Sequence, residues 1–277
     1  MKSKQVSIMA AMLVTVSAAF TMVSIAPKAP ASSASVQAKA FQHAPMKRVG
    51  VAPLVENGAA ESYNWSGFAV TGTAFTDAKG SWVVPAVDCT KSPNAWASFW
   101  VGIDGANSST VEQTGTGVWC NRRVAEYYAW YEFYPAGTSV ISGITVTPGD
   151  IISAEVKYAS SEFTVTITDT TAGTTFTTTQ AVSGAERTSA EWIAEAPSAA
   201  TGILNLADFS VADFGKEYTS IAGTNAATDA AFSGVISKFG TKVERITQVD
   251  DTVYDEAIPS TLSTDGSSFS SKWIEYN

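Results

Sequence analysis

The 277 residues carry 26 acids against 17 bases, a formal net charge of −9 with a sequence pI near 4.6. That balance argues against nucleic acid or an anionic membrane surface as a partner, because both are held by basic patches. Charged residues make up 16%, below the roughly 25% usual for globular domains. Ser and Thr supply much of the polar surface instead, which fits a protein that works in acid, where carboxylates lose their pairing with Lys and Arg.

In chain order, residues 1–26 read as a secretory signal peptide whose end extends to about 40 at most. Lys2 and Lys4 precede an apolar run from Val6 to Ile25, and Ala-, Ser- and Pro-rich sequence follows. A membrane anchor is the competing reading, but Thr15, Ser17, Thr21 and Ser24 dilute the run and no basic stop-transfer cluster follows it. The expectation is a secreted, extracellular protein with no membrane association once the signal is removed. Residues 27–62 form a basic leader. Of the 17 bases and 26 acids, six bases and two acids lie before residue 63, leaving 11 and 24, or −13, for residues 63–277. A basic leader ahead of an acidic domain suggests a pro-segment held partly by charge. An unstructured spacer is the alternative, with His43 as an exposed residue of it.

Residues 63–277 suffice for one sizeable β domain. Short runs of β-branched and aromatic residues alternate with Gly, Asp, Ser, Asn and Pro breaks. NWSGFAV (64–70), GSWVVPAV (80–87), AWASFWVGI (95–103), TVEQTG (110–115), EYYAWYEFYP (126–135), GITV (143–146), IISAEVKY (151–158), EFTVTITDT (162–170), TTFTTTQAV (174–182), SAEWIAEA (189–196), ADFSVADF (207–214), VERITQV (243–249) and SKWIEYN (271–277) read as strands. TAGT (171–174) is a hairpin turn and PGD (148–150) a further turn. AATDAAFSGVI (226–236) is the one candidate helix. Many short strands without βα alternation predict an all-β, antiparallel two-sheet sandwich.

Strand alternation puts Glu191, Ile193 and Glu195 on one face and Ala190, Trp192 and Ala194 on the other. In 130–134, Trp130, Glu132 and Tyr134 share a face opposite Tyr131 and Phe133. These acids fit either a solvated outer face or a concave, aromatic-lined binding surface. Bulky rings on both faces of 126–135 weigh against the first. His43 is the only histidine, so removing the leader leaves none, and the Ser-His, Cys-His and usual zinc hydrolase systems fall away. Cys89 and Cys120 are the only cysteines and are a candidate disulfide, two buried thiols being the alternative.

YNWSGFAVTG (63–72), ASFWVGIDG (97–105), VEQTGTGVW (111–119), YYAWYEFYP (127–135) and SAEWIAEAP (189–197) resemble, in order, segments of the glutamic peptidases, the eqolisins. The resemblance implies a lectin-like sandwich, of the concanavalin A-like jelly-roll kind, and an acid endopeptidase that cleaves proteins or peptides. It implies Gln113 and Glu195 as the catalytic pair, with Glu195 rather than Glu191 in the acid role. Trp65, Ser98, Trp100, Glu132 and Tyr134 match substrate-cleft positions, Asp104 the turn beside them, and Glu191 a supporting place on the sheet face. No cofactor or metal is implied, and the chain is expected to act as a monomer with its own basic leader as inhibitor. Tyr128 stands where fungal members commonly have Asp, which puts the cleft electrostatics in question, and the segment around 215–240 matches poorly.

Two other functions fit parts of the pattern. A carbohydrate-binding sandwich would use Trp65, Trp100, Trp130 and Tyr134 for sugar stacking. A glycosidase would pair Glu132 with Glu195, their separation deciding its stereochemistry. Asp250 with Asp251, or Asp150, are calcium candidates without a recognisable ligand loop.

Overall fold

The computed structural model describes residues 41–50 and 58–274; the predicted signal peptide lies outside the described residues. In chain order the strands begin with β1 (Ala59–Ser62), β2 (Trp65–Thr71), β3 (Asp77–Val83), β4 (Trp96–Ile103), β5 (Val111–Asn121), β6 (Val124–Tyr134) and β7 (Ser139–Ile141). They continue with β8 (Ile151–Ala159), β9 (Glu162–Asp169), β10 (Thr174–Gln180), β11 (Ser189–Glu195), β12 (Ser198–Ala199) and β13 (Gly202–Ile203). The last are β14 (Val211–Phe214), β15 (Ala226–Thr228), β16 (Ser233–Val235), β17 (Val243–Val249), β18 (Asp255–Pro259) and β19 (Phe269–Trp273). Among the described residues the helical elements are α1 (Lys216–Thr219) and a 3₁₀ segment, Ile236–Lys242.

The pairings resolve into two sheets. One runs β1-β17-β2-β11-β4-β5-β6-β7. The other runs β18-β19-β14-β3-β8-β9-β10, with the β15–β16 hairpin added to the free end of β3. Only β1, parallel to β17, departs from antiparallel pairing among these strands. A bulge at Gln248/Val249, where β17 meets β18, carries the chain from the first sheet to the second.

Between the sheets lies the main core, which includes Phe68, Phe99, Val101 and Trp192 from the first and Trp82, Ile152, Phe163, Phe214 and Phe269 from the second. Two buried indoles also hydrogen-bond across it: Trp192 Nε1 donates to Lys79 O at 2.6 Å and Trp82 Nε1 to Thr116 Oγ1 at 2.9 Å. Burying ring area while satisfying the N–H is what suits Trp to this position. Cys89 and Cys120 are bonded to each other. The TAGT turn joins β9 to β10, with Gly173 at φ 70° and Asp169 Oδ1 accepting from the amides of Thr171 and Ala172.

Residues 143–146, expected as a strand, form none between β7 and β8, and residues 226–236 are not a helix but the β15–β16 hairpin. Its Ala-rich composition favours helix, yet β15 finds an unpaired stretch of β3 to bond, and that long-range pairing overrides local propensity. Ala59–Ser62, within the leader by sequence, runs beside β17.

Candidate active site

The first sheet has a second apolar face, turned away from the core, lined by Trp65, Trp96, Trp100, Trp119, Tyr128, Trp130 and Ile193. The face follows from strand parity. Ser98 and Trp100 on β4, Gln113 on β5, Tyr128, Trp130 and Glu132 on β6, and Glu191 and Glu195 on β11 all point to it. Register then sets the rows. Glu195 lies opposite Trp65 and Ser98, and Ser98 opposite Gly117; Glu191 lies opposite Gly102, Gly102 opposite Gln113, and Gln113 opposite Glu132. The TGTG run of β5 makes room for the rings. A Cβ at Gly115 would meet Trp100 Cβ at 2.6 Å, and one at Gly117 would meet the Tyr128 hydroxyl at 2.5 Å.

Leader residues 41–48 run across this face. His43, expected as an exposed spacer residue, is fully buried. Its ring stacks on Trp130, with centroids 3.5 Å apart and planes at 9°, and its Nδ1 lies 2.9 Å from Glu195 Oε2. The same carboxylate oxygen accepts from Trp100 Nε1 at 2.8 Å. Gln113 Nε2 donates to the backbone carbonyl of His43 at 2.6 Å, and His43 N donates to Glu132 Oε2 at 2.9 Å. Thr138 Oγ1 donates to that Glu132 oxygen at 2.5 Å.

On either side, the cleft holds the leader mainly by its backbone. Ala44 O accepts from Trp65 Nε1 at 3.2 Å and Asn64 Nδ2 at 3.3 Å, and Met46 N donates to Gly105 O at 3.0 Å. Gln42 and Ser198 exchange a pair of 2.8 Å backbone bonds. Phe41 packs against Trp96 and Tyr128, at 4.9 and 5.5 Å between centroids. Further along, Arg48 pairs with Glu244 at 2.6 Å.

Burial dominates the electrostatics. Glu195 is held well above the ordinary carboxylate range by desolvation, helped by the nearby Glu132. Desolvation likewise pushes Glu132 up to about 8, opposed by its Thr138 and His43 hydrogen bonds. The same cause pushes the imidazole of His43 well down. All three groups therefore favour their neutral forms while the leader is in place.

The structure brings Gln113, Glu195 and Glu132 together on one leader residue, with Trp100 bonded to Glu195, Trp65 on the next leader residue and Ser98 in the Glu195 row. Tyr134, half-buried, packs at the margin of the face. Asp104 shapes a turn, with its carboxylate accepting from the amides of Arg187 at 2.6 Å and Thr188 at 2.9 Å, directly before β11. Glu191 is fully buried, raised by desolvation and by the charges of Asp104 and Glu112. Asp150 and Asp250 cap their own loops, through Thr147 and Thr252, and among the described residues no group of three His, Cys, Asp or Glu side chains is placed to hold a metal ion.

His43, Asn64, Thr138 and Trp96 contribute contacts that sequence reasoning missed. Asn64 stands within the YNWSGF motif and so carried a signal. Thr138 and His43 reach the cleft through tertiary packing and carried none.

A buried carboxylate and a carboxamide converge on one residue of a peptide segment laid across the sheet, the first on its side chain and the second on its carbonyl, an arrangement suited to acting on peptides. The peptidase A4 family model matches residues 63–256, and the chain belongs to this family, the glutamic endopeptidases. It is 33% identical over 193 residues to aspergillopepsin-2 of Aspergillus niger, covering 61% of this chain and 68% of that one. Scytalido-glutamic peptidase, solved with a transition-state analogue inhibitor, superposes with a TM-score of 0.63 at 25% identity, over 76% of this chain and 98% of that one. Aspergilloglutamic peptidase from Aspergillus niger does so with 0.55 at 28%, over 65% and 99%.

Proposed function

We propose that this enzyme is a secreted acid endopeptidase in which Glu195 activates water and Gln113 stabilises the oxyanion. The observation that carries the reading is the His43 carbonyl: a peptide carbonyl accepts from Gln113 Nε2 at 2.6 Å while Glu195 touches the same residue. A substrate backbone seated like the leader would present its scissile carbonyl to the Gln113 amide, which stabilises the negative charge that develops there. Glu195 Oε1 and Gln113 Oε1 are both buried without a protein hydrogen-bond partner, and they are the acceptors that would hold the attacking water.

With the leader out of the cleft, solvent relieves the desolvation of Glu195, and its carboxyl falls toward the ordinary value of about 4.3. In mild acid it then takes a proton from water and returns it to the leaving amine. Backbone contacts like those of Asn64, Trp65 and Glu132 would hold peptide substrates, which favours a peptide over a sugar in the cleft. The signal-like segment at residues 1–26 supports secretion.

Purified protein is incubated with a denatured protein substrate from pH 2 to 7, beside Glu195→Ala and Gln113→Ala. Cleavage by the wild type confined to acid, with folded Glu195→Ala inactive and Gln113→Ala about 10²–10³-fold slower, is expected. Full activity in either folded variant would overturn the pairing.

A further inference from the structure

We infer that Trp96 and Tyr128 form an aromatic well that selects substrates by the side chain two residues before the cleaved bond, and that Tyr128 sets this preference. The inference rests on the reading above, in which Gln113 holds the scissile carbonyl. In the seated leader that carbonyl belongs to His43, so the side chain two residues before it is Phe41.

The path of the leader fixes this correspondence. Gln42 is pinned by its pair of backbone bonds to Ser198, so residues 41–43 run extended, and Phe41 and His43 turn to the same side. Both are buried, while Gln42 between them keeps contact with solvent. The carbonyl of Phe41 lies 3.1 Å from Thr138 Oγ1. A substrate backbone seated in the same way brings its own side chain to the place that Phe41 fills.

Strand parity builds the well. Trp96 on β4, Gly117 and Trp119 on β5 and Tyr128 on β6 all belong to the aromatic face. Trp119 lies opposite Trp96 in register and stacks on it, with centroids 5.2 Å apart and planes at 11°, which holds the Trp96 ring in position. Gly117 lies opposite Tyr128 and leaves its ring the room that a side chain would take. Phe41 packs between the two walls, tilted 43° to Trp96 and 56° to Tyr128, and the His43 ring meets it edge-on at 5.6 Å.

The chemistry of the well favours a ring over a charge. Burial holds the Tyr128 hydroxyl protonated, and the acids whose charge reaches it, Glu195 and Glu132, are themselves pushed by burial toward their neutral forms. An aromatic side chain gains buried area and tilted ring contacts here. A Lys or Arg exchanges its water for ring faces without a counter-ion, and an Asp or Glu exchanges it for nothing. An Asp at position 128, as fungal members commonly have, would supply the counter-ion and turn the preference toward a base. Tyr128 is therefore the residue on which selection turns.

The test uses the full-length protein at pH 4 and a quenched-fluorescent peptide that it cuts at one bond located by mass spectrometry. The peptide is resynthesised with Phe, Leu, Ala, Lys or Glu two residues before that bond. The expected kcat/KM with Phe is about 10–100-fold above that with Ala, with Lys and Glu no better than Ala. A docked leader competes with every peptide alike, so these ratios are unaffected by it. Tyr128→Ala should reduce the Phe-to-Ala ratio to about threefold or less, and Tyr128→Asp should bring Lys above Phe. Each ratio compares two peptides on one preparation, so a partly folded variant does not distort it, and the wild-type series decides even if a variant fails to fold. A flat wild-type series, Lys preferred to Phe by the wild type, or an unchanged ratio in Tyr128→Ala would overturn the inference. A failure of the Glu195–Gln113 reading would show separately, as full activity of Glu195→Ala or Gln113→Ala on the same peptides.

Discussion

Glu191 and Glu195 project from the same face of β11, and register sets Gln113 in the row of Glu191, across Gly102. Strand geometry by itself would pair Glu191 with the glutamine. The seated leader supports the proposed pairing with Glu195 instead: its carbonyl on Gln113 and its imidazole on Glu195 belong to one residue, whereas Glu191 lies close enough to Asp104 and Glu112 for their charges to raise it. Glu191→Gln should therefore keep kcat within about threefold, while Glu195→Gln should lose about 10²–10⁴ in kcat, the usual scale of a lost general base. Initial rates at pH 4 on a quenched peptide separate the two. Equal losses would move the chemistry to Glu191. Glu132 accepts a backbone N–H, a task an amide carbonyl also performs. Glu132→Gln should raise KM severalfold and leave kcat nearly intact; abolished turnover would make Glu132 a participant in the chemistry.

At the level of strands, the site depends on close approach between β2 and β11. Gly67 lies opposite Ile193 at φ +147°, and a Cβ there would meet Trp192 O at 2.1 Å. Neither the dihedral nor the backbone contact tolerates a side chain. Gly67→Ala should cost about 3 kcal/mol, an overpacking penalty at the upper end of its usual range, read as a lowered urea midpoint with an unchanged m-value. A loss below about 0.5 kcal/mol would show that β11 shifts freely. β11 also receives its starting position from Asp104, which ties down Arg187 and Thr188 just before it. The Glu195 carboxylate is thus located by a turn whose last anchored residue, Thr188, lies seven residues before it, which is why a short strand can place an acid on an aromatic surface.

Across the whole molecule, buried carboxyls set the pH range in which the fold is stable. Glu112 is pushed up to about 9 by burial and by Asp104, and Glu191 well above the ordinary range by burial first. In the unfolded chain both titrate near 4.3. Between there and their folded values the native state binds the extra protons, so stability is fully present below about pH 4 and is lost as pH rises. Each such carboxyl removes about 1.4 kcal/mol per pH unit across that window. Thermal unfolding should give its highest Tm in acid and a steady decline through neutrality, and Glu112→Gln should flatten the decline. A Tm that rises from pH 4 to 7 would contradict this.

The two-sheet architecture was legible because alternation of the kind seen in β8 and β9 survives in the amino-acid order, and because Gly, Asp and Pro mark the ends. The two acids on one face of 191–195 and the aromatic face of 130–134 were readable for the same reason: side-chain direction in a strand has period two and needs no partner. Gln113 and Glu195 came from motif resemblance, since an isolated glutamine in a strand carries no chemical signature. Residues 226–236 show where local reading fails, their helical composition yielding to a pairing with β3 that no nearby residue announces. His43 is the larger case. In the amino-acid order it sits among small and basic residues of a leader. Its burial against Trp130, and its contact with an acid 152 positions away, exist only because eight strands fold into one sheet and give the leader a face to lie on. Composition and periodicity act within a few residues and so determined elements and faces. Distances between charges depend on which strands become neighbours, and the tertiary structure decided those.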